Sequence, residues 1–348
     1  MLGLVGTTIR SNVGTLDRPY KLNFAITYWC QSRCISCNIW QIKPKGELTI
    51  EEIRNFASRN RFFRWVELTG GEPFLRSDIV EIARTFKENN KSLYLLTFPT
   101  NSLCDAKLLE KRIREILGLG IPRIAATVSL DGYRELHDKI RGVPGNFDKA
   151  IATYKLLQEL AKQHRNLYFV FGYTMTKFNS GEFRKTYEQV KKEIPDITVN
   201  SFHINLAQTS SNYYKNEGDN IKPESANVIS ELEWILANRR REFGPISMIE
   251  NAFMKKLVYY ARTGKSPMKS RSLDASLFLD SFGNVYPSIM WEKKIGNIRE
   301  TNYDLAPLWH NEAAEEVRRD IKSRAEPNCW TSCEAFQAIT GNVKSLII

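Results

Sequence analysis

The chain has 348 residues, of which 42% are hydrophobic and 26% charged. That composition excludes a disordered chain, a collagen and a low-complexity scaffold, and no run approaches the roughly 18 uninterrupted apolar residues of a membrane span. The net charge of +11 favours anionic partners. The basic residues are nevertheless spread along the chain, with dense points only at Arg239, Arg240 and Arg241 and at Lys265 to Arg271, so no nucleic-acid partner is expected. The apolar run in Met1 to Arg10 is too short for a secretory signal, which predicts a cytoplasmic protein.

In chain order the pattern alternates strand and helix. Strands are predicted at 22–28, 63–68, 92–98, 123–130, 167–174 and 197–206. Helices are predicted at 50–59 after Thr49 as N-cap, at 77–88 opened by Ser77 with Asp78 in the first turn, and at 106–117, 147–163 and 181–193. Six strands separated by helices imply parallel pairing with crossover helices. This predicts an α/β partial (β/α)6 barrel with its chemistry at the C-terminal strand ends. After about residue 215 the pattern changes. Helices dominate 223–262, a hairpin of 276–280 and 285–288 turns at Phe282-Gly283-Asn284, and a last helix spans 311–322. The expected organisation is an N-terminal extension (1–20), a barrel (21–215) and a C-terminal unit (216–348), with the boundary between 215 and 245.

Three of the six cysteines, Cys30, Cys34 and Cys37, lie within eight residues directly after the first strand. Clustering in a chain without a secretory signal points to metal ligation rather than bridging. Three thiolates in one loop can hold three irons of a 4Fe–4S cluster and leave the fourth open. A zinc knuckle needs a fourth protein ligand nearby, and the first histidine, His137, comes 100 residues after Cys37. At the end of the second strand, Leu68-Thr69-Gly70-Gly71-Glu72-Pro73 places two glycines where the backbone can approach a ligand closely.

Together, the C-x3-C-x2-C loop and the Gly-Gly-Glu turn resemble the radical S-adenosylmethionine (SAM) superfamily. Thr100-Asn101-Ser102, Ser129-Leu130-Asp131-Gly132, His137-Asp138, Ile140-Arg141-Gly142 and Thr176-Lys177-Phe178-Asn179 extend the likeness to the subgroup of peptide-modifying enzymes and the molybdopterin-precursor cyclase. The resemblance implies a 4Fe–4S cluster on Cys30, Cys34 and Cys37, and SAM contacts at Gly70, Gly71, Glu72, Asn101, Ser129, Arg141 and Asn179. It implies reductive cleavage of SAM to a 5′-deoxyadenosyl radical that abstracts hydrogen from an unactivated C–H bond. It also implies a reductant such as ferredoxin or flavodoxin. A substrate would be a peptide or a small metabolite (a sugar, lipid or cofactor precursor), and the basic balance favours an anionic one. Relatives carry an aromatic residue before the third cysteine; here Ser36 stands there, leaving Trp29 or Trp40 for stacking. The competing reading is an iron–sulfur binding or sensor protein on the same fold.

The segments 279–287 and 295–298, Leu305 to Trp309, and the pair Cys329 and Cys333 resemble the SPASM or twitch accessory region, which usually binds auxiliary clusters. Ser288 replaces the first expected cysteine and only two thiols follow. The expectation is a cluster-free α+β cap; an auxiliary centre at Cys329 and Cys333 with unusual ligands, a zinc site or a disulfide are the alternatives. In the sixth strand, alternation puts Ser201, His203 and Asn205 on one face. His203 is thus a candidate for substrate binding or proton relay, against the plainer reading of a hydrogen-bonded structural histidine. Tyr173 and Tyr213 are expected to pack.

Overall fold

The computed structural model describes residues 2–14, 16–240, 242 and 244–342; Arg241 lies outside them. The six expected strands are present: β1 (Lys21–Thr27), β2 (Trp65–Gly70), β3 (Leu95–Thr100), β4 (Arg123–Ser129), β5 (Leu167–Met175) and β6 (Phe202–Leu206). Every neighbouring pair among them is parallel. The sheet continues on the other side of β1 with β7 (Ser276–Leu279), β8 (Asn284–Tyr286) and β9 (Gly296–Asn297), in the order β6-β5-β4-β3-β2-β1-β7-β8-β9. It is an open α/β partial barrel whose β1 edge is extended by β7 and the antiparallel β8 and β9. β7 runs parallel to β1, so the segment after 215 supplies a strand to the barrel sheet itself.

The helices are α1 (Leu2–Val13), α2 (Ile50–Arg59), α3 (Ile79–Asn89), α4 (Ala106–Leu117), α5 (Arg134–Arg141), α6 (Asn146–Gln163), α7 (Phe183–Glu193), α8 (Ser225–Asn238), α9 (Pro245–Thr263), α10 (Ala306–Trp309), α11 (Glu312–Ser323) and α12 (Ser332–Thr340). Thr49 and Glu52 form a reciprocal capping box at α2, and the Asp105 side chain caps α4. α3 starts two residues later than Ser77. Arg76 draws the Asp78 carboxylate to itself at 2.7 Å and donates to the carbonyls of Ile26 and Leu48, so neither residue caps through its side chain. The sixth strand starts at Phe202 rather than 197, because Val199–Ser201 forms a 3-10 turn closed by Thr198 and Ser201. The sequence reading did not anticipate α1, α5, α10 or α12.

Two apolar regions position the site. The large one lies between the sheet and its crossover helices and includes the edge-to-face rings of Phe24, Phe56, Phe63 and Phe86. A smaller one, built from Tyr28, Ile39, Tyr213 and Phe278, sits under the cysteine loop, with Cys37, Cys329 and Cys333 at its margin. Among the described residues no helix is long and apolar enough to cross a membrane.

Candidate active site

The loop after β1 is held in place from three sides. Glu47 accepts the Tyr28 N–H at 2.6 Å, and Thr27 Oγ1 accepts the Trp29 N–H at 3.0 Å. Further on, the N–H groups of Arg33 and Ile35 donate to the carbonyls of Arg141 and Ile140, stapling the loop to the end of α5. Gly142 permits this approach. It takes φ +66, and a Cβ there would stand 2.5 Å from the Arg33 carbonyl oxygen. Cys30, Cys34 and Cys37 thereby line one cavity of about 300 Å³ at the C-terminal strand ends.

Donors face these sulfurs: Asn101 Nδ2 lies 3.7 Å from Cys30 Sγ, and Arg141 Nη1 lies 3.8 Å from Cys34 Sγ. Hydrogen-bond donors and a guanidinium suit thiolates that carry charge, as a cluster requires. As bare thiols, Cys30 and Cys37 are pushed up by burial to about 11 and about 12, so ligation must release their protons. Among the described residues, no three His, Cys, Asp or Glu side chains converge tightly enough for a single metal ion. The thiols therefore offer no one-ion zinc cage, and the donors beside Cys30 and Cys34 suit a charged group held by the thiolates.

The Gly-Gly-Glu turn packs directly on the cysteine loop. Gly71 N–H donates to the Thr27 carbonyl and Glu72 N–H to the Trp29 carbonyl. A Cβ on Gly70, which has φ +123, would lie 2.0 Å from Thr27 O, and one on Gly71 would lie 2.2 Å from Trp29 O. Both glycines are therefore demanded by backbone contact. Glu72 is fully buried and its carboxylate accepts the N–H groups of Phe74 and, at 2.6 Å, Asn101. It clamps the loops after β2 and β3 together. Burial pushes its carboxyl up to about 7 against these two bonds.

Arg141 is not a surface ion pair. It is mostly buried beside Asp131 at 2.7 Å, and Asp131 is itself fixed by the Thr174 N–H on its carboxylate and by its own N–H on His137 Nδ1. Burial, then the Arg141 charge, push His137 down to about 3, so it is a neutral acceptor there. Ser129, Asp131, Arg141 and Asn101 all line the cavity. Asn179 does not: it is fully buried, and its amide ties the turn after β5 to the carbonyls of Asp131 and Thr174. Trp40 lines the cavity and Trp29 is exposed.

His203 and Asn205 of β6 face the cavity; Ser201, expected on the same face, is taken into the 3-10 turn. His203 Nδ1 sits 2.8 Å from Glu250 Oε1 of α9. Burial works to raise that carboxyl, but the His203 charge and hydrogen bond, with Arg239, outweigh it and hold Glu250 below its ordinary value. Tyr173 packs on Phe183 with its hydroxyl on the Asn179 carbonyl. The Tyr213 hydroxyl instead bonds both the N–H and the carbonyl of Gly70. Cys333 lines the cavity, with its thiol on Glu67 Oε1 at 3.5 Å. Cys329 lies outside it, Cys104 packs against the large core, and Ser288 Oγ accepts the Met290 N–H. Glu250 and Glu67 carried no sequence signal, because each matters only through a partner far away in the chain; Tyr213, expected to pack, also holds the Gly70 backbone.

The sequence profile of the Radical SAM superfamily matches residues 24–190, a span that takes in the cysteine loop, the Gly-Gly-Glu turn and Arg141. The chain belongs to the radical SAM superfamily. This radical SAM enzyme is 25% identical over 343 residues to an AdoMet-dependent heme synthase of Methanosarcina barkeri, covering 90% of this chain and 88% of the relative. It is 28% identical over 360 residues to an Fe-coproporphyrin III synthase of the same organism, covering 94% and 84%. Its fold matches the solved structure of anSMEcpe with bound AdoMet at TM-score 0.59 and 18% identity, over 86% of this chain and 82% of that one. That protein has also been solved with AdoMet and a Cp18Cys peptide. Membership of the superfamily implies a 4Fe–4S cluster and SAM as cofactors.

Proposed function

We propose that this enzyme holds a 4Fe–4S cluster on Cys30, Cys34 and Cys37. SAM would lie against Gly70, Gly71, Glu72, Asn101, Ser129 and Arg141. The enzyme then removes hydrogen from an unactivated C–H bond of a small metabolite: a sugar, a lipid or a cofactor precursor. The observation that carries this reading is convergence. The three thiols, the Gly-Gly-Glu turn, the Arg141–Asp131 pair and the inward polar side chains of the barrel all bound one cavity. When bound, the cluster supplies the electron that splits SAM.

The chain's own groups do the positioning. Glu72 locks two catalytic-face loops, Tyr213 pins Gly70, and Asp131 aims the Arg141 guanidinium along the cysteine loop. Thr331, Ser332 and Cys333 supply part of the cavity wall. The inner wall of the cavity carries small polar side chains such as Asn23, Thr97 and Asn205, which suits a small polar molecule. The names of the two full-length relatives also point toward cofactor precursors. The peptide reading rests on likeness of fold and on a bacteriocin biosynthesis protein of Bacillus subtilis, 28% identical over only 44% of this chain. An external one-electron donor such as a ferredoxin or flavodoxin completes the scheme, and the free thiols suit a cytoplasmic setting.

The test is anaerobic reconstitution of the intact chain and of a Cys30→Ala, Cys34→Ala, Cys37→Ala variant. The intact chain should carry about four irons and release 5′-deoxyadenosine from SAM under reduction. The variant should do neither. Iron without SAM cleavage in the intact chain would favour the sensor reading. Iron retained by the variant would place a second centre at Cys329 and Cys333.

A further inference from the structure

Below the cysteine loop the cavity continues into the barrel along β1, β2 and β3. Asn23 of β1 is fully buried, and neither Oδ1 nor Nδ2 of its amide has a partner. It stands in register with Glu67 of β2, and Glu67 with Thr97 of β3. All three line the cavity. Asn23 lies four residues before the end of β1, which at the rise of a strand is about 13 Å below the cysteine loop. Five more buried polar atoms lack partners: His203 Nε2, Asn205 Oδ1 and Thr331 Oγ1, and, toward the cysteine loop, Trp40 Nε1 and Arg141 Nε. Their residues line the same cavity. Native structures rarely leave so many buried polar atoms unpaired in one place, and a ligand's polar groups would satisfy them.

The charges on the floor narrow the ligand. Glu67 Oε2 is 3.5 Å from Lys21 Nζ, and Oε1 takes the Cys333 thiol. Each carboxylate oxygen still has a lone pair to offer the cavity. Lys21 is fully buried behind the strand, and its ammonium is spent on Glu67, the Cys333 carbonyl and the Trp65 ring. Among the described residues lining the cavity, Arg141 is the only lysine or arginine; Asp131 takes its Nη2, Cys34 its Nη1, and only its Nε, beside the cysteine loop, is left unpaired. The basic excess of the whole chain therefore does not reach this pocket, which argues against an anionic substrate. A carboxylate or phosphate offers only acceptors; it would leave both asparagine oxygens unpaired and meet Glu67 with like charge. An ammonium offers only donors and would leave Asn23 Nδ2 unpaired. A hydroxyl is donor and acceptor at once and satisfies every orphan.

We propose that the barrel floor around Asn23 and Glu67 is the substrate subsite, and that it takes a neutral, polyhydroxylated, sugar-like group. This rests on the proposed function and names its substrate class. It sets the chain apart from any relative that acts on a carboxylate-bearing ring.

Equilibrium binding to the reconstituted, SAM-loaded protein tests it, by saturation-transfer NMR and calorimetry. The probes are myo-inositol and glucose, with glucuronate and glucosamine as charged counterparts. A neutral polyol should bind, with glucuronate weaker by about tenfold or more. Asn23→Leu should weaken polyol binding about tenfold, and Glu67→Gln should narrow the preference of polyol over glucuronate. Iron content and circular dichroism report whether each variant folds; if Asn23→Leu does not, the isosteric Glu67→Gln carries the test. Failure of both polyols to bind, equal affinity for glucuronate, or unchanged affinity in the variants would overturn the subsite. Polyol binding without 5′-deoxyadenosine formation would instead overturn the proposed reaction and leave the subsite standing.

Discussion

Glu334 of α12 is wholly buried, with one oxygen on Ser272 Oγ at 2.7 Å and the other unpartnered. Burial pushes its carboxyl up to about 7. The folded state therefore binds this proton more tightly than the unfolded chain does. The stabilisation is present below about pH 4.5 and is lost as pH rises through about 7, a swing on the order of 3 kcal/mol. Glu334→Gln keeps the shape and removes the titration. Unfolding free energies of the variant, from denaturant titrations, should fall less between pH 5 and pH 8 than those of the parent, by about 1 kcal/mol or more. Glu72, raised in the same way, keeps the slope from vanishing. Equal slopes in the two proteins would mean that Glu334 is already ionised in the fold. At this scale the sequence was legible where ligands are neighbours in the chain, as in Cys30, Cys34 and Cys37. Asn23, Glu67 and Glu250 were not legible, since an asparagine in a strand or a glutamate in a helix has no meaning until its distant partner is known.

The alternation of strands and helices was readable because a buried parallel strand and an amphipathic crossover helix have different periods. The joints between them were not. Helix α5, which staples the cysteine loop, is only eight residues long, shorter than the stretch over which a helical period can be read. The turn after β2 shows what such joints demand. Its Gly71 lies so close to Trp29 that Gly71→Ala would put a methyl 2.2 Å from a backbone oxygen and 2.6 Å from its carbon. The turn and the cysteine loop would have to part. Reconstituted Gly71→Ala should therefore hold markedly less iron than the parent, although no thiol is touched; full iron loading would show that the two loops move independently. Tyr213→Phe acts on the same joint more gently. It leaves the buried Gly70 N–H and carbonyl without their partner, at a cost of about 1–3 kcal/mol. Weaker SAM binding should accompany the lower melting temperature.

Across the whole molecule, the feature that sequence periodicity hid is the place of β7. Four residues after a long helical stretch read as the arm of a local hairpin. In the fold they also lie parallel to β1. Between β2 and β7, β1 has all seven residues buried, including Lys21 and Asn23, an unusual fate for such residues unless both strand edges and both faces are covered. Gln337 and the Cys333 carbonyl of α12 then reach back to Lys21, and Trp330 stacks on Phe253. The C-terminal third therefore completes the barrel wall and floor rather than sitting on top of it. A chain cut after Lys222 would uncover the β1 edge together with apolar side chains such as Tyr28 and Leu22. Each fully buried apolar side chain exposed costs about 1.5–3 kcal/mol, and a few of them consume the 5–15 kcal/mol, roughly, that a domain possesses. The truncated chain should aggregate or bind a hydrophobic dye without a cooperative melt, whereas the full chain should unfold in one transition. A soluble, cooperatively melting 1–222 fragment would show that the barrel closes without β7, and that the pairing with β1 is dispensable.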